Sequence, residues 1–194
     1  MFSWFLGRKL DQFERSFDYD MAFAREMLAI SPKALIAYFK ATSIGNYRHN
    51  VPTDAWFAAS LVAIAYEDCG PCTQLGVTMA RRAGVDAEVV ERLIAGDFDG
   101  LPAHVAVTAR FALASMRRSP DADELRDRVE ALFGRHGLLS IAYAMTACRI
   151  YPTVKYALGY GKACTRVVVD GKPVNKGGVY EHEVLSPALS RQAS

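Results

Sequence analysis

The segment between Asp54 and Glu67 limits the possible folds more than any other stretch of this sequence. Drawn as a helix, it carries apolar side chains on every face: Trp56, Phe57, Leu61, Val62, Ile64 and Tyr66. A helix without a polar face has to be buried all round, at the centre of a fold or in an oligomer interface. Its twelve uncharged residues are too few for a membrane span, which needs about 20. The segment therefore predicts a fully buried helix.

Helical spacing of apolar residues recurs along most of the chain, and capping residues stand at several helix ends. Ser31-Pro32 and Asp86 are expected to begin helices, and Gly84 is expected to follow the end of one. The predicted helical segments are Asp11 to Ala29, Ser31 to Gly45, Val51 to about Tyr66, Cys72 to Ala83, Asp86 to Ile94, Leu101 to Arg117, a helix from Ser119-Pro120, His136 to Arg149, and Pro152 to Tyr160.

Strands do not alternate with helices, and no repeat of 20–50 residues is present, so we expect an all-α fold. Residues 1–163 are predicted to form one helical domain. Residues 164–194 are predicted to form a short C-terminal arm or tail, either irregular or containing a hairpin that turns at Asp170-Gly171.

Composition and charge exclude several classes of partner. The chain has 23 basic and 21 acidic side chains, so its net charge of +2 gives no reason to expect nucleic acid or anionic lipid. Four cysteines in 194 residues do not suggest a secreted disulfide scaffold. The apolar Met1–Leu6 precedes Arg8 and Lys9, the reverse order of a secretory leader. We therefore expect a soluble, cytoplasmic protein that binds neither nucleic acid nor membrane.

The chemistry is concentrated in the segment Glu67-Asp68-Cys69-Gly70-Pro71-Cys72. Two residues between the cysteines allow an intramolecular disulfide when the second lies in the first turn of a helix. Unpaired N–H groups and the dipole at a helix start lower the pKa of a cysteine thiol, and the thiolate is the form that attacks peroxides and disulfides. Cys69 and Cys72 are therefore the predicted redox pair.

Two other interpretations of this spacing are half a zinc site and a pair of inert core cysteines. Zinc needs further ligands, usually from a second cysteine pair or a paired histidine motif. The remaining candidates are scattered singly: His49, His104, His136, His182, Cys148 and Cys164. We expect no metal and no cofactor, and we interpret Cys148 as a small core residue.

Glu67 and Asp68 adjoin the first cysteine and are candidate proton shuttles for the thiol chemistry. The alternative is that these two carboxylates simply end a buried helix in solvent.

The surroundings of the cysteine pair resemble the alkylhydroperoxidase D and carboxymuconolactone decarboxylase superfamily over roughly residues 25 to 118. The residues that carry the resemblance are Ala58 to Cys72, Ala80 to Asp86, Leu93 to Asp97, Leu101-Pro102 and Ser31-Pro32.

This resemblance implies an alkylhydroperoxidase D-like helical bundle that assembles as a homo-oligomer, a trimer or a hexamer. It implies that Cys69 and Cys72 reduce a peroxide or disulfide substrate, with Cys72 attacking first, and that a reducing partner protein or a small thiol restores the pair. Two positions depart from the family's pattern. Gly76 stands where its peroxidases have a histidine, and Phe57 stands where they have a glutamate. The usual proton relay is therefore absent. Either Glu67 or Asp68 replaces it, or the peroxidase activity is weak or lost.

The predicted function is that of a thiol-dependent antioxidant enzyme or a disulfide oxidoreductase. A non-catalytic oligomeric binding or scaffold protein of the same fold is the main alternative, because the relay residues are missing. The third hypothesis is a thioredoxin fold, since Cys-Gly-Pro-Cys is the thioredoxin tetrapeptide, but the chain offers too few strands for its sheet.

Overall fold

The computed structural model describes residues 2–163 and 166–181, and within these ranges the protein is mainly helical. This confirms the predicted helical class. A single two-stranded sheet follows the helices in the described residues, so they contain no central sheet of the thioredoxin kind. The elements are α1 (Phe2–Phe17), α2 (Ala22–Ile30), α3 (Pro32–Thr42), a 3-10 helix (Ser43–Asn46), α4 (Thr53–Tyr66), α5 (Gly70–Arg82), α6 (Ala87–Ala95), α7 (Ala103–Arg117), α8 (Ala122–Ala157), β1 (Arg166–Val169), β2 (Lys172–Asn175) and a second 3-10 helix (Gly178–Tyr180).

Helix α4 lies at the centre of the fold, as its apolar faces predict. It packs against α5, α6, α7 and α8, and its residues from Ala58 to Ala65 are all buried. Five of these eight residues are alanine or serine, whose small side chains let the neighbouring helices approach closely. The cysteine pair therefore follows directly on the most deeply buried helix of the protein.

The prediction of one helix from Asp11 to Ala29 is wrong, because the chain turns between α1 and α2. Asp18 has a left-handed backbone conformation with φ of 48°, and the Glu14 carboxylate accepts a hydrogen bond from the Met21 N–H at 3.0 Å. The apolar spacing continues through this turn, which buries Tyr19 and Met21, and so it concealed the break. The turn directs Tyr19 towards the start of α5.

The two predicted helix starts at Ser31 and Asp86 are confirmed. The Ser31 hydroxyl accepts a hydrogen bond from Ala34 N–H at 3.4 Å, and the Asp86 carboxylate accepts one from Glu88 N–H at 2.8 Å. These contacts satisfy backbone donors that a helix start leaves unpaired.

The predicted break between His136–Arg149 and Pro152–Tyr160 is wrong, because helix α8 continues through Pro152 to Ala157, whereas the predicted start of a helix near His136 agrees with the structure. Its break lies at Gly134, whose φ of 71° and ψ of 176° are not helical. Among the helices of the described residues, none is both long enough and apolar enough to cross a membrane.

The hairpin predicted at Asp170-Gly171 is confirmed. Both residues have positive φ, 46° and 82°, as a two-residue hairpin turn requires. The buried side chains of Val167 and Val169 join the main core, and the hairpin packs against α5 and α6. Gln74 of α5 bonds to the backbone of Val168 with its amide donating at 2.9 Å and its oxygen accepting at 2.7 Å. Residues 166–181 therefore cover the helix that carries Cys72.

Gly177 holds the chain after the hairpin close to α6, and its replacement is predicted to weaken the fold. The Gly177 N–H donates to the Ile94 carbonyl at 3.0 Å, and an added Cβ would collide with the backbone carbonyl of Ala95. We expect Gly177→Ala to lower the free energy of unfolding by about 1–3 kcal/mol, measured by urea denaturation. Gly178→Ala is the matched control, because a Cβ there meets nothing within 4 Å. Equal effects of the two substitutions would contradict this account.

Candidate redox site

Cys69 and Cys72 lie at the start of α5 and are joined as a disulfide. Cys69 is the N-cap residue with φ of −99° and ψ of 101°, and Pro71 lies in the first turn. The Cys69 carbonyl accepts hydrogen bonds from the Thr73 N–H at 2.8 Å and from its hydroxyl at 2.9 Å. These contacts place the two Cα atoms 5.3 Å apart, within the range of protein disulfides. The predicted closeness of the pair is confirmed.

Both cysteines are buried, which the motif alone did not indicate. The exposed fraction is 0% for Cys69 and 4% for Cys72. Their nearest apolar neighbours include Ile64 of α4 and Cys148 and Tyr151 of α8. A reactant in bulk water therefore cannot reach either sulfur along a broad open surface.

Cys72 nevertheless borders a cavity of about 200 Å³, which the exposed residues Asn46 and Met79 also line. The walls of this inner cavity are mainly apolar and include Phe13, Trp56, Ile64, Leu75, Gly76, Met79, Ala144, Ala147, Cys148 and Tyr151. Cys69 is not among its lining residues in the described part of the chain, so Cys72 is the cysteine of the pair that faces the empty space.

A second cavity of about 550 Å³ adjoins the first. Phe13, Tyr19, Leu75 and Tyr151 line both cavities, so the two spaces meet at these side chains. The exposed residues Lys9 and Lys40 also line this outer cavity. Together the two cavities form a mainly apolar route from the surface to Cys72, and the inner cavity also meets the surface at Asn46 and Met79.

Two polar atoms in the walls of these cavities have no hydrogen-bond partner among the described residues. They are the hydroxyl of Tyr38, which lines the outer cavity, and the indole Nε1 of Trp56, which lines the inner one. Buried donors without partners are rare, because each costs free energy until something bonds to it. Both are therefore unsatisfied donors that lie buried behind the walls of the two cavities.

Tyr19 connects Cys72 to a buried lysine. The Tyr19 hydroxyl lies 3.7 Å from Cys72 Sγ, and Lys155 Nζ donates a hydrogen bond to the same hydroxyl at 3.0 Å. Lys155 is only 4% exposed, and its ammonium lies 4.8 Å from the ring centre of Tyr19 and 5.2 Å from that of Phe23. The Cys72 sulfur, the Tyr19 hydroxyl and the Lys155 amine are therefore connected in the interior by two successive polar contacts.

Burial shifts the pKa values of both partners away from their ordinary values. It lowers the pKa of Lys155, which Asp20 raises and Lys162 lowers further, and it raises the pKa of Tyr19. Sequence reasoning missed these two residues. The available signal was Lys155, which follows Cys148 and Tyr151 on the apolar face of α8 at helical spacing.

The structure places the carboxylates of Glu67 and Asp68 in ion pairs. Glu67 accepts a hydrogen bond from Arg149 Nε at 2.5 Å, and Asp68 pairs with Lys176. Asp68 also has φ of 54°, and its carbonyl accepts a hydrogen bond from the Tyr156 hydroxyl at 2.8 Å. These contacts fasten the loop before Cys69 to α8 and to the end of the hairpin. The proton-shuttle role of the two carboxylates stays a prediction.

Cys148 is a thiol in the wall of the inner cavity, beside the disulfide. Burial raises its pKa to about 11, and a hydrogen bond with Ser60 partly offsets that effect. At neutral pH it therefore remains protonated and is a poor nucleophile.

Gly76 lines the inner cavity at a point where α5 lies close to α4. A Cβ at this position would lie 3.1 Å from Leu61 Cδ2 and 3.2 Å from Ile64 Cδ1, so α5 packs closely on α4 here. The position at which the sequence resemblance predicted a departure from a histidine is therefore occupied by a close helix contact and a cavity wall.

Within the described residues, no group of three or more histidine, cysteine or acidic side chains is placed to hold a metal ion. No protein-family model, curated protein or solved structure matches this chain. The resemblance to the alkylhydroperoxidase D superfamily therefore stays a prediction.

Proposed function

We propose that this protein is a dithiol oxidoreductase of the alkylhydroperoxidase kind, in which Cys72 reduces a small, apolar hydroperoxide and Cys69 closes the disulfide. The observation that carries the proposal is the position of Cys72. Its sulfur lies in the first turn of α5, next to Cys69 and on the wall of an apolar cavity.

The reaction needs two thiols and one hydroperoxide. The Cys72 thiolate attacks the terminal peroxide oxygen, an S–O bond forms, the O–O bond breaks, and the alkoxide leaves as an alcohol after protonation. Cys69 sulfur then attacks the Cys72 sulfenic acid, and the departing hydroxide leaves as water with the Cys69 proton. The peroxide gains two electrons, and the dithiol loses two.

The cavity supports a small apolar oxidant over a protein disulfide. Both sulfurs are buried, and the route to Cys72 is lined mainly by hydrocarbon and aromatic side chains. The transfer of an alkyl group from water to such walls is favourable. The oxidised pair is then restored by a small thiol or by a reducing partner protein, in the cytoplasm.

The same proposal includes assembly of this protein as a homo-oligomer, a trimer or a hexamer. The sequence resemblance to the alkylhydroperoxidase D superfamily supports this assembly.

A non-catalytic scaffold with a structural disulfide is the second candidate. One observation favours it, namely the exposed fraction of 0% for Cys69 and 4% for Cys72. Such burial protects a structural disulfide from reductants.

The two candidates are separated by mixing the pre-reduced protein with cumene hydroperoxide in a stopped-flow instrument. We expect peroxide consumption about 100-fold faster than that of the double variant Cys69→Ser/Cys72→Ser, which keeps the other thiols. Mass spectrometry should then find Cys69 linked to Cys72. A wild-type rate equal to that of the double variant would leave the scaffold as the better account.

A further inference from the structure

The line of contacts from Lys155 through Tyr19 to Cys72 has the form of a proton pathway. We propose that Tyr19 is a catalytic residue that exchanges protons with Cys72 Sγ, and that Lys155 is a positioning residue that holds the Tyr19 hydroxyl and stores the proton. The inference rests on the proposed function, since it supplies the proton transfers that this reaction requires.

The geometry suits a relay through a hydroxyl. A tyrosine hydroxyl can donate one hydrogen bond while it accepts another. Here it accepts from Lys155 Nζ at 3.0 Å, which leaves its own proton directed to Cys72 Sγ at 3.7 Å. A contact to sulfur is longer than one to oxygen because the sulfur atom is larger. The hydroxyl is thus bonded on both sides.

Lys155 is an unusual residue for the interior of this protein. Burying an ammonium costs free energy unless a counter-charge compensates it, and no carboxylate of the described residues forms an ion pair with Lys155. The charged groups acting on it are Asp20, from the turn between α1 and α2, and Lys162, from the segment after α8. The neutral faces of Tyr19 and Phe23 provide its other contacts.

A lysine of this kind can change its protonation state at moderate cost. Burial lowers the pKa of Lys155, so at a given pH a larger fraction of it is the free amine, the form that can accept a proton, than for an exposed lysine. When Cys72 is a thiol, its proton passes to the Tyr19 oxygen while the Tyr19 proton passes to the Lys155 amine. A thiolate and an ammonium result, and their attraction stabilises the ion pair.

The same groups return the proton after the attack. When the O–O bond breaks, the alkoxide takes a proton from the Tyr19 hydroxyl, and Lys155 gives its proton back to Tyr19. The net change is one thiol and one hydroperoxide converted to one sulfenic acid and one alcohol. Lys155 and Tyr19 end in their starting protonation states.

This pathway also accounts for the residues that the chain lacks. The histidine expected after the pair is replaced by Gly76, and the Glu67 carboxylate is engaged by Arg149. Tyr19 and Lys155 approach Cys72 from the α1–α2 turn and from α8, and so they lie far from the motif in sequence.

The test measures the pKa of the Cys72 thiol directly and therefore does not depend on peroxidase activity. In a Cys69→Ser background, the rate of iodoacetamide modification of the Cys72 peptide is followed by mass spectrometry across pH. We expect Tyr19→Phe and Lys155→Met each to raise this pKa by about one pH unit, because a hydrogen bond or cation that stabilises the thiolate is lost. With Cys69 intact, Tyr19→Phe should also slow reduction of cumene hydroperoxide by about tenfold or more.

Tyr38→Phe is the matched control for the pKa measurement, because it removes a buried tyrosine hydroxyl that has no partner among the described residues. It should leave the Cys72 pKa unchanged. If neither Tyr19→Phe nor Lys155→Met moves that pKa, the inference is overturned. Lys155→Met keeps the length of the side chain. If the Tyr19→Phe variant does not fold, the pKa of Cys72 in Lys155→Met tests the inference instead. Failure of the proposed function gives a different result. The wild-type protein would then not consume the hydroperoxide, although Tyr19→Phe and Lys155→Met would still raise the pKa of Cys72.

Discussion

If Cys72 is the attacking sulfur, Cys72→Ser abolishes hydroperoxide consumption. Cys69→Ser still allows the first step, in which one hydroperoxide is reduced and Cys72 becomes a sulfenic acid. We expect the Cys72→Ser rate to fall about 100-fold or more, to that of the double variant, because the substitution removes the one cysteine of the pair that lines the inner cavity in the described residues. Reduced Cys69→Ser should still consume one equivalent of cumene hydroperoxide and stop, with Cys72 held as a sulfenic acid. Stopped-flow kinetics and dimedone labelling followed by mass spectrometry measure the two outcomes.

Both variants are best prepared with Cys148→Ser. Cys148 lines the same cavity as Cys72, so its thiol offers a second partner for the sulfenic acid. Cys148→Ser alone is the matched control and should react like the wild type, since burial raises the pKa of that thiol to about 11. Full activity in Cys72→Ser together with loss in Cys69→Ser would reverse the assigned order.

The features of the fold that could be predicted from the sequence are those with local causes. Ser31 and Asp86 cap helices with their own side chains, and Asp170-Gly171 turns the hairpin through the conformations that these two residues favour. The burial of α4 follows from its composition alone, because no face of it can remain in water.

The errors in the helix boundaries have tertiary causes. Apolar residues continue at helical spacing across Asp18, although the chain turns there to bury Tyr19 and Met21 against other helices. Pro152 was expected to begin a new helix, but it lies inside α8, where packing maintains the helix around it. Spacing along one segment does not contain this information.

The residues of the candidate site also fall into two groups, those with a local sequence signal and those that only the fold brings together. The cysteine pair could be predicted because two intervening residues and a following helix are visible in the sequence. Tyr19 lies 53 residues before Cys72, and Lys155 lies 136 residues after Tyr19, so only the folded chain brings them together. The cavities depend on helix packing throughout the protein, which no local pattern describes.

The apolar route to Cys72 predicts a large and selective effect of narrowing it at Leu75. This partly buried side chain lines both cavities, so it stands where they join. We expect Leu75→Trp to slow reduction of cumene hydroperoxide by roughly tenfold to hundredfold, because the larger side chain hinders the passage of a bulky ligand, and this slowing corresponds to about 1.4–2.7 kcal/mol of added barrier. Hydrogen peroxide is small enough to pass the larger side chain. The rate at which Leu75→Trp reduces it should therefore differ from the wild-type rate by less than about threefold.

The ratio of the two rates is what makes this experiment informative, because a general disturbance of α5 would slow both peroxides together. Leu139→Trp is the matched control, since Leu139 is exposed on α8 and belongs to neither cavity in the described residues. Leu75→Phe provides a milder narrowing if tryptophan prevents folding. If Leu75→Trp protein reduces cumene hydroperoxide at the wild-type rate, the substrate reaches Cys72 by another path. That path would start where the exposed residues Asn46 and Met79 line the inner cavity.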